Sequence, residues 1–267
     1  MLQNNQSVNN LLNNFKIFEL NPEIAVGVSG GPDSIALAYL LNEWIKIKKG
    51  KLFALIFDHK IRSSSRKESF VVKDTLSKLG IVSIIIKPKK NKLVKKNMQN
   101  ARQNRFDGLI NFCRQNKILH LFLGHHLDDN LETYLIRKIN GSNIEGLECM
   151  NNISQYHNIQ ILRPFLQIKK KSIINFNKRN NLSFIDDPSN YDLNYTRVKI
   201  RNFLNNNMYN DQIKKDFENI RKIIPLYKKM IWSTFLENLI TLNSTKIVVK
   251  YTKIKKLNDL ILERHIL

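Results

Sequence analysis

From residue 24 to about residue 163, short apolar runs alternate with longer amphipathic stretches. The apolar runs are IAVGVS, LFALIF, IVSIII, LHLFLG and IQIL. Between them, apolar residues recur at three- and four-residue spacing in Ser34–Ile47, Arg66–Leu79, Met98–Asn116 and Asp128–Ile139. Such alternation is typical of βαβ units, in which amphipathic helices connect parallel strands. It predicts an α/β fold with a doubly wound, mostly parallel sheet.

The pattern changes after Arg163-Pro164, where strand-like alternation ends. Two basic helices and an intervening turn-rich segment are predicted at Ile168–Asn181, Thr196–Asn205 and Asp186–Tyr195. Further along, apolar spacing favours more helix and then a strand at Lys246–Tyr251. We therefore predict two domains, a catalytic domain over residues 1–205 and a small, mainly helical part over residues 206–267.

Composition adds a strong positive charge to this picture. The 267 residues are 42% hydrophobic, which is enough for a buried core, and 44 Lys and Arg against 22 Asp and Glu give a net charge of +22. A charge of this size attracts polyanions, so nucleic acid is the leading class of partner. The alternative is a compositional bias toward Lys, Asn and Ile in an AT-rich genome, with no ligand involved.

Several classes of protein are disfavoured. Cys113 and Cys149 are far apart and lack a His-rich neighbourhood, so neither a zinc ribbon nor an iron–sulfur site is indicated. The opening MLQNNQSVNNLLNNF lacks the regions of a signal peptide, and no run reaches the roughly 18 apolar residues of a membrane helix. We expect a cytoplasmic protein without a membrane contact.

The first candidate site is a phosphate-binding loop. The strand-like run Ile24–Val28 leads directly into a helix through Ser29, Gly30, Gly31, Pro32, Asp33 and Ser34. Adjacent glycines allow close backbone approach, proline suits a first helical turn, and the free N–H groups of a helix start bind anions. The loop is neither a Walker A motif nor a GxGxxG motif. The alternative is a Gly-Gly turn that only connects strand to helix.

Acidic residues and histidines follow two other apolar runs. Asp58 ends the second run, and LGHHLDDNLET places His125 after the fourth, with Asp128, Asp129 and Glu132 on the next helix. Clustered carboxylates suit either Mg²⁺ or a cationic amine. A zinc site is an alternative, although nothing completes its ligand set. The aspartates also suit a helix N-terminus, whatever their chemistry.

These motifs resemble those of a known family. SGGPDS resembles the SGGxDS loop of PP-loop ATP pyrophosphatases, which split ATP between the α- and β-phosphates. The blocks DHKIRSSSRKE, LGHHLDDNLET, RPF and IDDPSNYDLNYTRVKIR resemble, in order, blocks of the tRNA(Ile)-lysidine synthases, a PP-loop subfamily. The sequence departs from that family at Asn140, Asn143, Glu148 and Val198.

The resemblance implies a ligase that adenylates the wobble cytidine of the CAU-anticodon tRNA(Ile) and joins it to L-lysine. It implies ATP binding by Ser29 to Ser34 and Asp58, with Mg²⁺ at Asp33. It implies catalysis by Asp33, Arg102, His125 and Asp129, lysine binding by Asp129 and Glu132, and RNA binding by Arg105, Arg197 and Arg201. For Arg102 and Arg105, ATP phosphates, the RNA backbone and plain surface exposure are all open.

Three other functions stay open at this point. A tRNA thiolase also adenylates RNA bases, although it usually supplies suitably spaced cysteines. An amide-forming PP-loop ligase would act on a small metabolite and would need no strong basicity. A non-catalytic RNA-binding protein would explain the charge alone. The oligomeric state is also open, with a homodimer as one candidate.

Overall fold

The computed structural model describes residues 11–13, 15, 17–58, 65–87, 98–186, 191–206, 210–243 and 246–250. The chain forms two compact units. The first comprises residues 1–133 and 150–203, and the second comprises residues 134–149 and 204–267. Of the predicted motifs, His59 to Ser64 and Asp187 to Asn190 lie outside the described residues.

The first unit is built on a six-stranded sheet. The strands are β1 Glu23–Val28, β2 Lys51–Phe57, β3 Ser83–Ile86, β4 His120–Phe122, β5 Ile153–Tyr156 and β6 Ile159–Leu162. Their order is β3-β2-β1-β4-β6-β5, and all neighbours are parallel except the antiparallel pair of β5 and β6. The strand order reverses between β1 and β4, where ligands of such sheets bind. The predicted doubly wound, mostly parallel sheet is confirmed.

The helices also follow the predicted periodicity. Their bounds are α1 Pro32–Ile47, α2 Ser65–Lys78, α3 Met98–Gln115, α4 Leu127–Ile139, α5 Ile144–Leu147, α6 Lys170–Arg179, α7 Thr196–Asn206 and α8 Asn210–Asn238. One buried cluster contains the apolar face of α1 with Trp44, and a second contains Leu109 and Cys113 of α3. Burying side chains of this size contributes about 1.5–3 kcal/mol each, which fixes the strands and the loops between them.

Two strands lie where the sequence indicates none. The edge strand β5 has the sequence ISQY, in which Ile153 and Tyr156 are exposed, so its pattern lacks a buried face. The second unit has a two-stranded sheet of β7 Leu239–Leu242 and β8 Ile247–Val249. The strand predicted at Lys246–Tyr251 corresponds to β8. Its partner β7 begins directly after the last residue of α8, and the sequence shows no break between that helix and this strand.

Two residues that depart from the resemblance have local partners within the second unit. The Oδ1 atom of Asn143 accepts a hydrogen bond from the Gly146 N–H at 2.9 Å and so caps α5. The Glu148 carboxylate accepts from the Lys228 ammonium at 2.7 Å. Asn143 and Glu148 therefore each form a side-chain contact within this unit.

Among the described residues, none of the helices is both long enough and apolar enough to cross a bilayer.

Candidate active site

The loop between β1 and α1 is held closed by its two serines. The Ser29 N–H donates to Ser34 Oγ at 3.2 Å, and the Ser34 hydroxyl donates to the Gly31 carbonyl at 3.0 Å. The Gly31 carbonyl also accepts from the Ile35 N–H at 3.1 Å, which is the first bond of α1. The serine side chains thus shape the loop and leave backbone N–H groups at the start of α1 for an anion.

Gly30 is the residue of this loop that requires glycine. Its φ is +89°, and a Cβ atom placed on it would lie 2.5 Å from Cγ2 of Val72. Its carbonyl accepts a hydrogen bond from the Ile185 N–H at 2.9 Å. Any side chain would therefore strain the backbone and displace α2.

The sheet register places the other predicted residues on both sides of this loop. In β1 and β2, Val28 pairs with Ile56, so Gly30 and Asp58 follow their strands at the same level. In β1 and β4, Val26 pairs with Phe122, which brings His125 level with Ser29. Neighbouring strands are about 4.8 Å apart, so the two histidines after β4 emerge beside the loop.

A close approach of backbone joins the β4–α4 connection to the start of α1. A Cβ atom on Gly124 would lie 3.1 Å from the carbonyl carbon and oxygen of Asp33. On the other side, Asn177 of α6 is fully buried and donates from Nδ2 to the Pro32 carbonyl at 2.9 Å. The first turn of α1 is therefore held between two segments from distant parts of the chain.

Asp33 has one carboxylate oxygen with an electrostatic partner and one without. Its Oδ2 atom lies 3.7 Å from Nε2 of His126, whereas Oδ1 is buried and has no hydrogen-bond partner among the described residues. Burial raises the pKa of Asp33, and His126 and Lys170 oppose that rise. A bound cation would supply the missing partner of Oδ1.

His126 and Asp129 cap α4 reciprocally. The Asp129 carboxylate accepts from the His126 N–H at 3.1 Å, and the Asp129 N–H donates to His126 Nδ1 at 3.3 Å. This is the arrangement of a capping box, with histidine and aspartate in place of the usual residues. Burial opposes protonation of His126, but Asp128, Asp129 and Asp33 together raise its pKa. Asp129 thus has the capping role that the sequence suggests.

Asp128 performs a different task from its neighbour. Its Oδ2 atom accepts from the backbone N–H of Lys170, the first residue of α6, at 2.7 Å. Burial raises the pKa of Asp128, but the bonds to His126 and Lys170 outweigh it and lower that pKa overall. Asp128 therefore connects the start of α4 to the start of α6 and brings Lys170 toward Asp33.

Glu132 forms the centre of a buried ion-pair network. Its side chain is 1% exposed; Oε2 accepts from Arg197 Nε at 2.8 Å, and Oε1 accepts from Arg201 Nε at 2.6 Å. The Arg197 guanidinium also lies 3.5 Å from the Asp129 carboxylate. Both oxygens of Glu132 are thus bonded to arginines, and its contact with lysine stays a prediction. The two arginines predicted to bind RNA are 31% and 24% exposed.

His125 lies among cationic groups. Nε of Arg163 donates to His125 Nδ1 at 3.3 Å. Burial lowers the pKa of His125 to about 3; Asp129 opposes this, while Arg163, Arg102 and Arg105 reinforce it. Burial, with the charge of Arg102, also lowers the pKa of Arg105, and it lowers that of Arg163 to about 10. The predicted residues Arg102, Arg105 and His125 thus belong to one electrostatic cluster.

Asp58 lies at the edge of a separate feature, a cavity of about 380 Å³ beside β3. The cavity is lined by Asp58, Ser69, Phe70, Lys73, Ser83, Ile84, Ile85 and Lys87. Asp58 is 4% exposed, and its N–H donates to the Ile86 carbonyl at 3.0 Å. Asp58 thus borders this cavity on one side, and the pairing of β1 with β2 places it level with Gly30 of the phosphate loop.

Clustered side chains that could ligate a metal are the next feature of the site. Within the described ranges, no group of three or more His, Cys, Asp or Glu side chains is arranged to hold a metal ion. Magnesium commonly takes only one or two protein carboxylates and completes its shell with phosphate oxygens and water. Asp33 with its unpartnered Oδ1 fits that pattern.

Four residues of the site carry no role in the sequence interpretation: Asn177, Gly124, Lys170 and Arg163. Arg163 follows β6 directly, as Asp58 follows β2, so the rule that ligands bind at the carboxyl edge of the sheet could have identified it. Asn177 and Lys170 reach the site through contacts with α1 and α4 that no local pattern encodes.

Comparison with known proteins agrees with this geometry. A family model described as a PP-loop domain matches residues 1–208. The chain is 33% identical over 215 residues to the tRNA(Ile)-lysidine synthase of Orientia tsutsugamushi, covering 80% of this chain and 48% of the relative. It is 38% identical over 186 residues to the enzyme of that name from Wolbachia pipientis wMel, covering 69% and 43%. The chain thus spans about half the length of these curated relatives.

A solved structure shares the fold. The U34-tRNA thiolase NcsA from Methanococcus maripaludis, solved with its [4Fe-4S] cluster, superimposes with a TM-score of 0.66. The match covers 81% of this chain and 78% of that one at 20% sequence identity. At this identity the likeness concerns the arrangement of helices and strands alone.

Proposed function

The chain belongs to the PP-loop family, and on that basis we propose that it catalyses the reaction of the tRNA(Ile)-lysidine synthases it resembles. In this reaction the wobble cytidine of a CAU-anticodon tRNA(Ile) is activated with ATP and then joined to L-lysine. The observation that carries the proposal is the adjacency of two motifs. The loop Ser29–Ser34 and the segment His125–Glu132 follow neighbouring strands and meet through Gly124 and Asp33.

The reaction has two steps in this proposal. The C2 oxygen of cytidine attacks the α-phosphorus of ATP and pyrophosphate leaves. The lysine amine then attacks C2, and AMP leaves with that oxygen. A carbonyl oxygen is a poor leaving group, whereas AMP is a good one, so the first step prepares the second. Excluding water protects the adenylated base between the steps.

The phosphate loop serves the first step. Its backbone N–H groups bind phosphate oxygens, and Gly30 lets the backbone approach them closely. Asp33 would hold Mg²⁺ through Oδ1, and the ion would neutralise charge that builds up on the departing pyrophosphate. Asp58, level with Gly30 on the next strand, is assigned to the nucleotide. Arg102 and Arg105 belong to the electrostatic cluster around His125 and are assigned to phosphates of ATP or RNA, which planar guanidinium groups bind well.

The second step needs a site for a cationic amine. Asp129 is the carboxylate that we assign to lysine, because it lies beside His126 and is connected to the loop through that ring. Glu132 is reassigned: it holds Arg197 and Arg201, and through Arg197 it orients Asp129. The exposed parts of Arg197 and Arg201 remain available for RNA.

Sulfur transfer is disfavoured by both cysteines. Burial raises the pKa of Cys113 to about 12 and that of Cys149 to about 11. Neither thiol is therefore the reactive thiolate that sulfur handling requires.

The proposal assigns the ATP chemistry to residues 1–205 and the remainder to support of the tRNA. The expected location is the cytoplasm, where tRNA, ATP and lysine are all present. Purified protein is incubated with ATP, Mg²⁺, radiolabelled lysine and the CAU-anticodon tRNA(Ile). We expect ATP-dependent label in the RNA, with none in the same tRNA carrying uridine at the wobble position. A complete lack of label in the cytidine-containing tRNA would refute the proposal.

A further inference from the structure

Arg163 is the member of the cationic cluster with a direct bond to a predicted catalytic side chain. A guanidinium group carries only N–H donors, so the bond from Arg163 Nε to His125 Nδ1 requires a lone pair on Nδ1. A neutral imidazole with a lone pair on Nδ1 carries its hydrogen on Nε2. The contact therefore selects one tautomer of His125.

Arg163 is itself fixed by the edge strand. Its Nη1 atom donates to the Asn151 carbonyl at 3.0 Å and to Ser154 Oγ at 2.8 Å. Ser154 belongs to β5, which pairs with β6 immediately before Arg163. Arg163 and His125 both follow parallel strands of the same sheet, β6 and β4. These three hydrogen bonds, donated to three different acceptors, hold the guanidinium in one orientation.

We propose that Arg163 is a positioning residue that holds His125 as the neutral Nε2–H tautomer, so that His125 acts as a hydrogen-bond donor and not as a base or a cation. Among the described residues, His125 Nε2 has no hydrogen-bond partner of its own. His125 is level with Ser29 across the sheet, beside the phosphate loop. A substrate oxygen that gains negative charge is the chemical group such a donor serves. This role rests on the proposed function.

The surroundings support the neutral form. The charged groups that act on His125 are Arg163, Arg102 and Arg105, which oppose an imidazolium, and Asp129, which favours it. Three guanidinium groups against one carboxylate, with burial in addition, keep the ring uncharged well below neutral pH. The Asp129 carboxylate is moreover bonded to the His126 N–H and lies near Arg197.

The tautomer can be measured without turnover. In ¹⁵N spectra of the full-length protein with labelled histidine, the His125 signals are assigned by their loss in His125→Gln. We expect a protonated Nε2 and an unprotonated Nδ1 from pH 5 to pH 9, and a pKa that rises into this range in Arg163→Met. Arg179→Met, which removes an exposed arginine from α6, should change neither signal. An imidazolium at pH 7, or hydrogen on Nδ1, in the wild-type protein would overturn the proposal.

Activity distinguishes a donor from a base. The amide nitrogen of glutamine can occupy the position of Nε2, whereas that of asparagine corresponds to Nδ1. We expect His125→Gln to keep lysine transfer within about tenfold and His125→Asn to lose about 10²–10³-fold, the usual effect of one lost transition-state donor. Equal loss in both variants would contradict donation from Nε2. A wild-type protein with the Nε2–H tautomer but no lysine transfer would refute the proposed function while leaving the tautomer assignment in place.

Discussion

Replacing Glu132 by glutamine removes one negative charge from the centre of a buried network and keeps the shape of the side chain. The glutamine accepts through one oxygen only, so its amide nitrogen faces a guanidinium group where an oxygen stood at 2.6–2.8 Å. Arg197 and Arg201 then retain charges that are largely removed from water, at 31% and 24% exposure.

The size of the effect follows from this geometry. Breaking a buried pair by removing one partner costs about 3–5 kcal/mol. Partial exposure of both arginines reduces the cost, so we expect about 2–4 kcal/mol of lost unfolding free energy. With a urea m-value of about 3 kcal/mol/M, the unfolding midpoint falls by about 1 M.

Urea titration followed by circular dichroism measures this change. Glu43→Gln is the matched control, because Glu43 pairs with Lys46 on the exposed side of α1, and surface pairs contribute about 0–1 kcal/mol. A midpoint for Glu132→Gln equal to that of the control would show that the network contributes nothing to stability. Activity adds a second readout: nucleotide binding should persist, and the KM for lysine should rise because Arg197 no longer orients Asp129.

Three further changes test the phosphate loop. Asp33→Asn should lower ATP-dependent pyrophosphate release at least about 10²-fold without lowering the unfolding midpoint, and preserved turnover would contradict its role. Gly30→Ala should cost about 2–4 kcal/mol in urea titration, against about 1 kcal/mol for Gly80→Ala, which has positive φ but open space around it. Asn177→Ala should cost about 1–3 kcal/mol and raise the KM for ATP, whereas Asn180→Ala, which removes a bond within its own helix, should leave that KM unchanged.

The elements that place the site were accessible from the sequence. Buried parallel strands read as continuous apolar runs, and the crossover helices show a strong three- and four-residue period, so both were predicted within a few residues of their bounds. The loop Ser29–Ser34 was accessible for another reason, since glycines at a strand-to-helix turn have few other uses. Local pattern and final structure agree because local preference and burial favour the same conformation.

The pairing of charged groups was not accessible in the same way. Glu132 was predicted to bind lysine, and Arg197 and Arg201 to bind RNA, but the bonds among these three side chains were not predicted. An ion pair leaves no periodic pattern in the sequence. In a chain with 44 basic and 22 acidic residues, many alternative pairs are available. The edge strand β5 was not predicted because its side chains are mostly exposed, so its sequence shows no alternation of apolar and polar residues.

Because the two parts of the candidate site follow β1 and β4, the site can form only after these two strands have paired. The phosphate loop lies between β1 and α1, near the start of the chain. The His125–Glu132 segment comes later in the sequence, after β3 and α3. Pairing of strands distant in sequence is slow, because a long loop must close before the contact forms. A ligand that bridges both segments binds only the chain in which β4 has joined β1, and at 100 times its Kd it adds about 2.7 kcal/mol to that state. A nucleotide that contacts both segments would therefore stabilise the completed topology selectively, and its protection of the chain from proteolysis would report how many molecules have reached that topology.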